Sequence, residues 1–261
     1  MTQVHPLAQV DPSAELAEGV VVGPFSYVEA GVRIGKGTRL DSHVTVKTGS
    51  IVGEDNFFGQ GAIIGGDPQV RGFTNPNTQL IIGDRNVIRE YVTIHRAAKD
   101  GAATVIGNDN VLMAYVHIAH DCRLGNFITI ANNVGFAGHC TVEDYVNMGG
   151  MSGVHQWVHI GKVAMIGGMS RIVRDAPPFM ITQGHDQVHD INAVGLRRYG
   201  ITSEGRMALH KSCKILYKSD LALSNALETV RREVALTDDV QYLLAFEERR
   251  YSGKNGRGDQ P

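Results

Sequence analysis

The chain has 261 residues, 43% apolar and 20% charged, and its 31 glycines exceed the usual share while its 8 prolines do not. Lys and Arg number 25 against 27 Asp and Glu, a formal net charge of −2, which excludes nucleic-acid binding through bulk positive charge. No apolar run approaches the ~18–20 residues of a transmembrane segment. No basic-then-apolar leader opens the chain, and three cysteines (Cys122, Cys140, Cys213) are too few for a disulfide scaffold and suit a reducing cytoplasm.

A period of six begins near the N-terminus. Every sixth residue from Val4, through Val10, Leu16, Val22, Val28 and Ile34, on to Ile172 is large and apolar, with only Pro76 and Asp100 as exceptions. The position four later is small or β-branched, as at Ala8, Ala14, Val20, Ser26 and Val32, and glycine often follows the large residue, as in Ile34-Gly35, Val52-Gly53 and Ile106-Gly107. Such a period fits neither a helix nor an alternating strand. It predicts a solenoid in which each hexad is one flat side and three hexads close a coil. The large residue and the small one four later point inward, and the permissive glycine allows the corner. Successive coils then stack as parallel strands about 4.8 Å apart. The fold expected is an all-β parallel β-helix.

Two stretches, 66–79 and 97–104, keep the phase but lose the chemistry of the repeat and read as loops bulging from a corner, usual places for ligand contacts. The repeat ends at Pro177-Pro178. Residues 1–184 are expected to form the β-helix and 185–261 a small α-helical domain. Its helices are expected from Ser203 or Glu204 to Tyr217, from Asp220 to Val234 and from Asp238 to Tyr251, with a mobile tail at Ser252–Pro261.

A coil of 18 residues turns sequence spacing into contacts. Asp121, His139 and Trp157 share one column, and His120, Gly138 and Gln156 share the next, with His155 beside Gln156. His117 sits at the corner leading into that face, and His95 belongs to the adjacent side about one coil below. Five of the 11 histidines therefore gather on neighbouring faces. Histidine is the natural proton acceptor at neutral pH, and a neighbouring carboxylate raises its basicity and fixes its tautomer. Gly138 offers a bare backbone N–H for an oxyanion. A base beside an oxyanion donor suits acyl transfer.

A zinc site is the alternative, with His117, His120 and His139 as ligands; against it, His120 and Asp121 would point to opposite sides of an extended strand. On the adjacent side the columns Ala131–Gly149–Gly167 and Asn132–Gly150–Gly168 leave a shallow slot suited to an acyl chain, or simply make tight turns. Cys122 and Cys140 read as core fillers.

The stretches Val92-Thr93-Ile94-His95-Arg96, His117-Ile118-Ala119-His120-Asp121-Cys122, Ala131-Asn132-Asn133, Ala137-Gly138-His139, Val154-His155-Gln156, Pro177-Pro178 and Gly195-Leu196-Arg197-Arg198 together resemble the UDP-N-acetylglucosamine O-acyltransferase family of the hexapeptide-repeat class. The resemblance implies a left-handed β-helix of triangular section in a cytoplasmic homotrimer, with active sites between subunits. It implies transfer of a β-hydroxyacyl chain to position 3 of UDP-N-acetylglucosamine, the first step of lipid A synthesis. The donor's phosphopantetheine arrives on acyl carrier protein, so the enzyme needs no cofactor or metal of its own. His120 would be the general base, Asp121 its partner and Gly138 the oxyanion donor. His95, His117, His139, Gln156, Asn192 and Arg198 would line the donor and acceptor sites, and Gly168 would gauge acyl length.

Two departures stand out. Val70-Arg71-Gly72 replaces the family's Asp-Leu-Lys, and Asn192-Ala193-Val194-Gly195 replaces its Asn-x-Glu-Gly. They leave open a 3-amino sugar acceptor, giving an amide. A CoA-dependent acetyltransferase and an inactive β-helical paralogue are further alternatives. Lys211, Lys214, Lys218, Arg197, Arg198, Arg231 and Arg232 could meet an acidic carrier protein.

Overall fold

The computed structural model describes residues 1–74 and 77–261; Asn75 and Pro76, within the expected loop 66–79, lie outside the described residues. The chain forms a left-handed parallel β-helix followed by four helices. Most hexads contribute a two-residue strand, and the strands stack into three parallel faces of 11, 9 and 8 strands, the first extended at its end by a hairpin strand. The first face carries Val4, Val22 and Leu40, the second Val10, Val28 and Val46, the third Leu16, Ile34 and Val52. Pairing places Gln3 on Val21 and Val4 on Val22, a step of 18 residues. The core is a continuous column along the axis. Both inward positions of each hexad feed it, so Val20, Ser26, Val28, Thr38, Phe58, Ile118 and Phe136 are all buried.

The corners depart from the expectation in one respect. At most corners the left-handed residue is the third after the large apolar one. It is glycine at Gly31 (φ 69°) and Gly61 (φ 72°), but Tyr91 (φ 56°), Asp121 (φ 59°), His139 (φ 62°) and Trp157 (φ 70°) adopt the same conformation. Ring stacking along the corner helps to hold several of them: Tyr91 lies on Tyr115 at 5.3 Å between centroids, and Phe127 on Tyr145 at 4.8 Å. The glycine that follows the large residue serves coil stacking instead. A Cβ on Gly35 would sit 2.5 Å from the carbonyl of Gly53, one coil on.

Both insertions preserve the phase. Across the first, Ser50 pairs with Leu80, 30 residues on; across the second, Ile82 pairs with Ile106, 24 on. Each exceeds 18 by a multiple of six, so every inward side chain stays inward.

Beyond the prolines, Met180–Gln183 pairs in parallel with the last coil and antiparallel with Gln187–Ile191. Helix α1, Ala193–Tyr199, was not anticipated in the sequence; α2 (Ser203–Lys218), α3 (Leu223–Glu233) and α4 (Asp238–Ser252) lie close to the expected spans. Thr202 and Thr237 cap α2 and α4, and Leu196, Leu209, Val230 and Leu243 join Phe179 and Met180 in a second core. The tail expected to be mobile is tied down. Arg257 donates to the Val173 carbonyl at 2.6 Å, Gly258 N–H to Asp175 at 2.8 Å, and Asp259 faces His159 Nδ1 at 2.9 Å. Among the described residues no helix is long and apolar enough to cross a membrane.

Candidate active site

An open groove of about 580 Å³ runs along the outside of the second face. His117, Gly135, Gly153 and Arg171 succeed one another in register along its strands. His120 and Gly138, then His155 and Gln156, come from the turns that leave that face. Gln69 reaches the groove from the first loop.

Because Asp121 occupies the left-handed corner, its side chain turns back on its neighbour, and His120 Nδ1 lies 2.7 Å from Asp121 Oδ2. Residues 120 and 121 therefore meet, and the expected opposition of the two side chains fails because they form a turn and not a strand. Burial pushes the Asp121 carboxyl up, but hydrogen bonds from His120 and from Ala98 N–H, with the charges of His139 and His120, outweigh it and hold it below its ordinary value. An ionised carboxylate can only accept, so the proton sits on Nδ1 and the lone pair on Nε2. The imidazole rests against Gly138: a Cβ there would fall 2.5 Å from His120 Cε1 and 2.7 Å from Nε2. Among the described residues nothing accepts from the Gly138 N–H. A lone pair and an unused backbone donor thus stand side by side, the arrangement acyl transfer requires.

His139 belongs to this cluster but not to the groove wall. Its ring lies flat on Trp157, centroids 3.9 Å apart, and its Nε2 is 3.8 Å from Asp121 Oδ2. His117 contributes to the wall, its Nδ1 bonded to Thr93 Oγ1 at 2.8 Å. His95 corrects the expectation: it lies on the same face as His117, its ring 5.0 Å away, because the six-residue insertion makes Thr93 and not residue 99 the partner of His117. His95 Nδ1 holds the Asp67 carbonyl at 2.6 Å and so anchors the first loop. Burial is the largest cause lowering the pKa of His95, His117 and His139 alike, which favours neutral imidazoles.

His155 and Gln156 line the groove as their column placed them, His155 Nδ1 lying 3.0 Å from the Gln156 carbonyl. Asn192 does not reach it. Its side chain caps α1, accepting from Gly195 N–H at 3.0 Å and donating to the Val163 carbonyl at 2.9 Å. Arg198 is exposed on α1, away from the groove of its own chain. Gly168 lies on the turn before Arg171; a Cβ there would meet only ordinary contact, 3.4 Å from Gly150 O, whereas one on Gly161 would strike Pro178 at 2.6 Å. Space, and not packing, is what Gly168 preserves.

Among the described residues, the three groups that could share a metal ion are His120, Asp121 and His139, without His117. In a neutral dyad, Asp121 Oδ2 is already engaged by His120.

The sequence reading overlooked Gln69, Gly135, Gly153 and Arg171 in the wall, and the second loop's grip on Asp121. Ala98 N–H donates to Asp121 Oδ2 at 3.1 Å, and Asp121 N–H donates to buried Thr104 Oγ1 at 2.8 Å. Gly135 and Gly153, 18 apart at outward positions where no turn needs glycine, were the legible signal. Of the seven basic residues considered for a carrier protein, Lys211 and Lys218 donate to carbonyls and Arg231 and Arg232 pair with Glu248 and Glu233.

Comparison with known proteins decides the family. The family pattern for "Udp N-acetylglucosamine O-acyltransferase; Domain 2" matches residues 175–258, and that for six bacterial transferase hexapeptide repeats matches 103–138. The acyl-[acyl-carrier-protein]–UDP-N-acetylglucosamine O-acyltransferase of Alkalilimnicola ehrlichii is 46% identical over 94% of this chain and 96% of its own. That of Burkholderia orbicola is 44% identical over 88% of this chain and 89% of its own. The chain belongs to this O-acyltransferase family. A solved UDP-N-acetylglucosamine acyltransferase from Bacteroides fragilis superposes with a TM-score of 0.89 at 34% identity, over 94% of this chain and 96% of that one. The Francisella novicida enzyme gives 0.88, also at 34% identity, over 94% and 91%.

Proposed function

We propose that the chain moves a β-hydroxyacyl group from acyl carrier protein to position 3 of UDP-N-acetylglucosamine, the step that begins lipid A synthesis, in the cytoplasm. The observation that carries this reading is the imidazole of His120, oriented by Asp121 and pressed against Gly138 in an open groove. Nε2 of His120 takes the proton of the sugar 3-hydroxyl as its oxygen attacks the thioester carbonyl. The Gly138 N–H receives the developing oxyanion. Collapse expels the pantetheine thiolate, which recovers the proton from Nε2. The carboxylate of Asp121 stabilises the intervening imidazolium. Phosphopantetheine enters as part of the donor.

In this reading His117, His155 and Gln156 contact substrate from the groove wall, and His95 holds the first loop over it. His139, stacked on Trp157, keeps Asp121 and His120 apart from bulk water. Asn192, being a helix cap, acts through the placement of α1. Arg198 is exposed and would serve a neighbouring subunit's groove in a homotrimer. Gly168 leaves room for a longer acyl chain than a bulky residue would.

The acceptor invites a second reading. Val70 and Val194 are 40% and 50% exposed at the positions where the resemblance expects acidic groups, so a 3-amino sugar acceptor merits direct comparison. Incubating the protein with acyl carrier protein thioesters and each nucleotide sugar separately, with mass analysis of the product, tests both. An ester on the 3-hydroxyl sugar supports the first reading, and exclusive amide formation replaces it with the second. The absence of either product with any carrier thioester overturns acyl transfer altogether.

A further inference from the structure

The groove has a floor and an end wall that the catalytic dyad does not use. His117, Gly135, Gly153 and Arg171 form one register line up the second face. A Cβ on Gly135 or Gly153 would meet nothing within 4 Å. The two glycines are therefore not required by the packing of the chain; they leave a bare strip of backbone between His117 and Arg171. Three coil steps of about 4.8 Å make this line about 14 Å long. Arg171 stands at its far end and lines the groove together with His120 and Gly138. Its guanidinium Nη1 lies 3.5 Å from His185 Nε2. Among the described residues no carboxylate lies within ion-pair range of it, nor of Arg39 or Arg123 on lower coils, whereas Arg85, Arg89 and Arg96 each face one. Apolar Ile172 and Val173 flank it in the wall.

A charge without a counter-ion at the end of a bare, solvent-open channel is a receptor for an anion that arrives with the ligand. We propose that Arg171 binds a substrate phosphate at the far end of the groove and so sets where the reacting atoms fall relative to His120. The inference rests on the acyl-transfer reading, which supplies two phosphate sources: the phosphodiester of the donor's pantetheine arm and the diphosphate of the nucleotide sugar. The planar fork of arginine suits either one, as two parallel N–H donors to two phosphate oxygens. Arg171 is thus a binding residue in this account and takes no part in proton transfer.

Steady-state kinetics of wild type, Arg171→Gln and Arg171→Lys, with each substrate varied in turn, tests this. Loss of a charge-assisted contact should raise one substrate's KM about tenfold while kcat stays within about threefold, and lysine, which keeps the charge but not the fork, should recover only part of the loss. A rise confined to the acyl carrier places the donor phosphodiester at Arg171; a rise confined to the sugar places the diphosphate there. Unchanged KM for both substrates, or a loss wholly in kcat, overturns the proposal. Calorimetric titration of UDP and of acyl-phosphopantetheine into wild type and Arg171→Gln reads binding without turnover. A wild type that binds one of them about tenfold more tightly than the variant, yet turns over neither sugar, would separate the failure of the acyl-transfer reading from the failure of this one. Equal binding by both proteins counts against Arg171 whatever the activity.

Discussion

Asp121 holds the side chain of the residue immediately before it: its Oδ2 lies 2.7 Å from Nδ1 of His120. Adjacent residues in a strand could not do this, since their side chains diverge. The left-handed backbone of Asp121, φ 59°, turns the carboxylate back; Ala98 N–H of the second loop donates to that carboxylate, and Thr104 Oγ1, in the strand that follows the loop, accepts the Asp121 backbone N–H.

Removing the proposed base should remove the chemistry and spare the fold. His120→Ala is expected to lower kcat by about 10²–10⁴, because the ring sits at a groove wall and not in the axial core. Asp121→Asn should lose activity through the tautomer it no longer enforces. Circular dichroism and thermal melting verify folding alongside the assay. A His120→Ala enzyme retaining half its activity would show the assigned base to be wrong.

Gly138 offers a sharper comparison. An added methyl at that position would overlap the His120 ring at 2.5 Å, whereas one at Gly135 would enter open groove. Gly138→Ala should cost about 10²-fold or more in kcat by displacing the imidazole and shading the oxyanion donor, with little change in melting temperature. Gly135→Ala should act mainly on KM. Equal effects of the two variants on kcat would contradict the placement of the oxyanion.

Thr104 is fully buried and accepts the Asp121 N–H at 2.8 Å. Thr104→Val keeps the shape and loses the acceptor, so kcat should fall by about three- to tenfold, with KM little changed. Thr104→Ser should restore it. A valine variant with wild-type kcat, or a serine variant as impaired as valine, would show that the hydroxyl does not position the carboxylate.

The buried histidines give stability a pH dependence of definite sign. His95, His117 and His139 all have pKa values lowered from 6.5 in the folded chain, with burial as the main cause. The unfolded chain therefore takes up protons first as pH falls, and their contribution is complete above 6.5 and lost below it. Asp121, lowered from 3.8, adds a separate loss only as pH drops below that value. Melting temperature should decline from about pH 7 to about pH 5, and less steeply in His117→Gln. An identical decline in that variant would remove His117 from the account.

Much of this was legible from spacing alone. The six-residue period gives the inward residues, and the step of 18 by itself puts His120 beside Gly138 and Asp121 beside His139 and Trp157. It misplaced His95 because a six-residue insertion intervenes, which changes the partner of His117 without disturbing the inward pattern. Asn192 could not be recognised as a cap because α1 is only seven residues long and carries little periodicity. The grip of Ala98 and Thr104 on Asp121 depends on how a loop returns to the coil, which no column predicts. Gly35, Gly53 and Gly107 fit the corner by sequence, but two backbones passing too close for a Cβ explain them better.

The docked tail ties the last residues to the reactive face. Arg257 reaches the carbonyl of Val173, two residues beyond Arg171, and Gly256 and Gly258 hold both ends of the Asp175 contact. Loss of residues 256–258 would thus be felt first at the upper lip of the channel, well away from where those residues were removed.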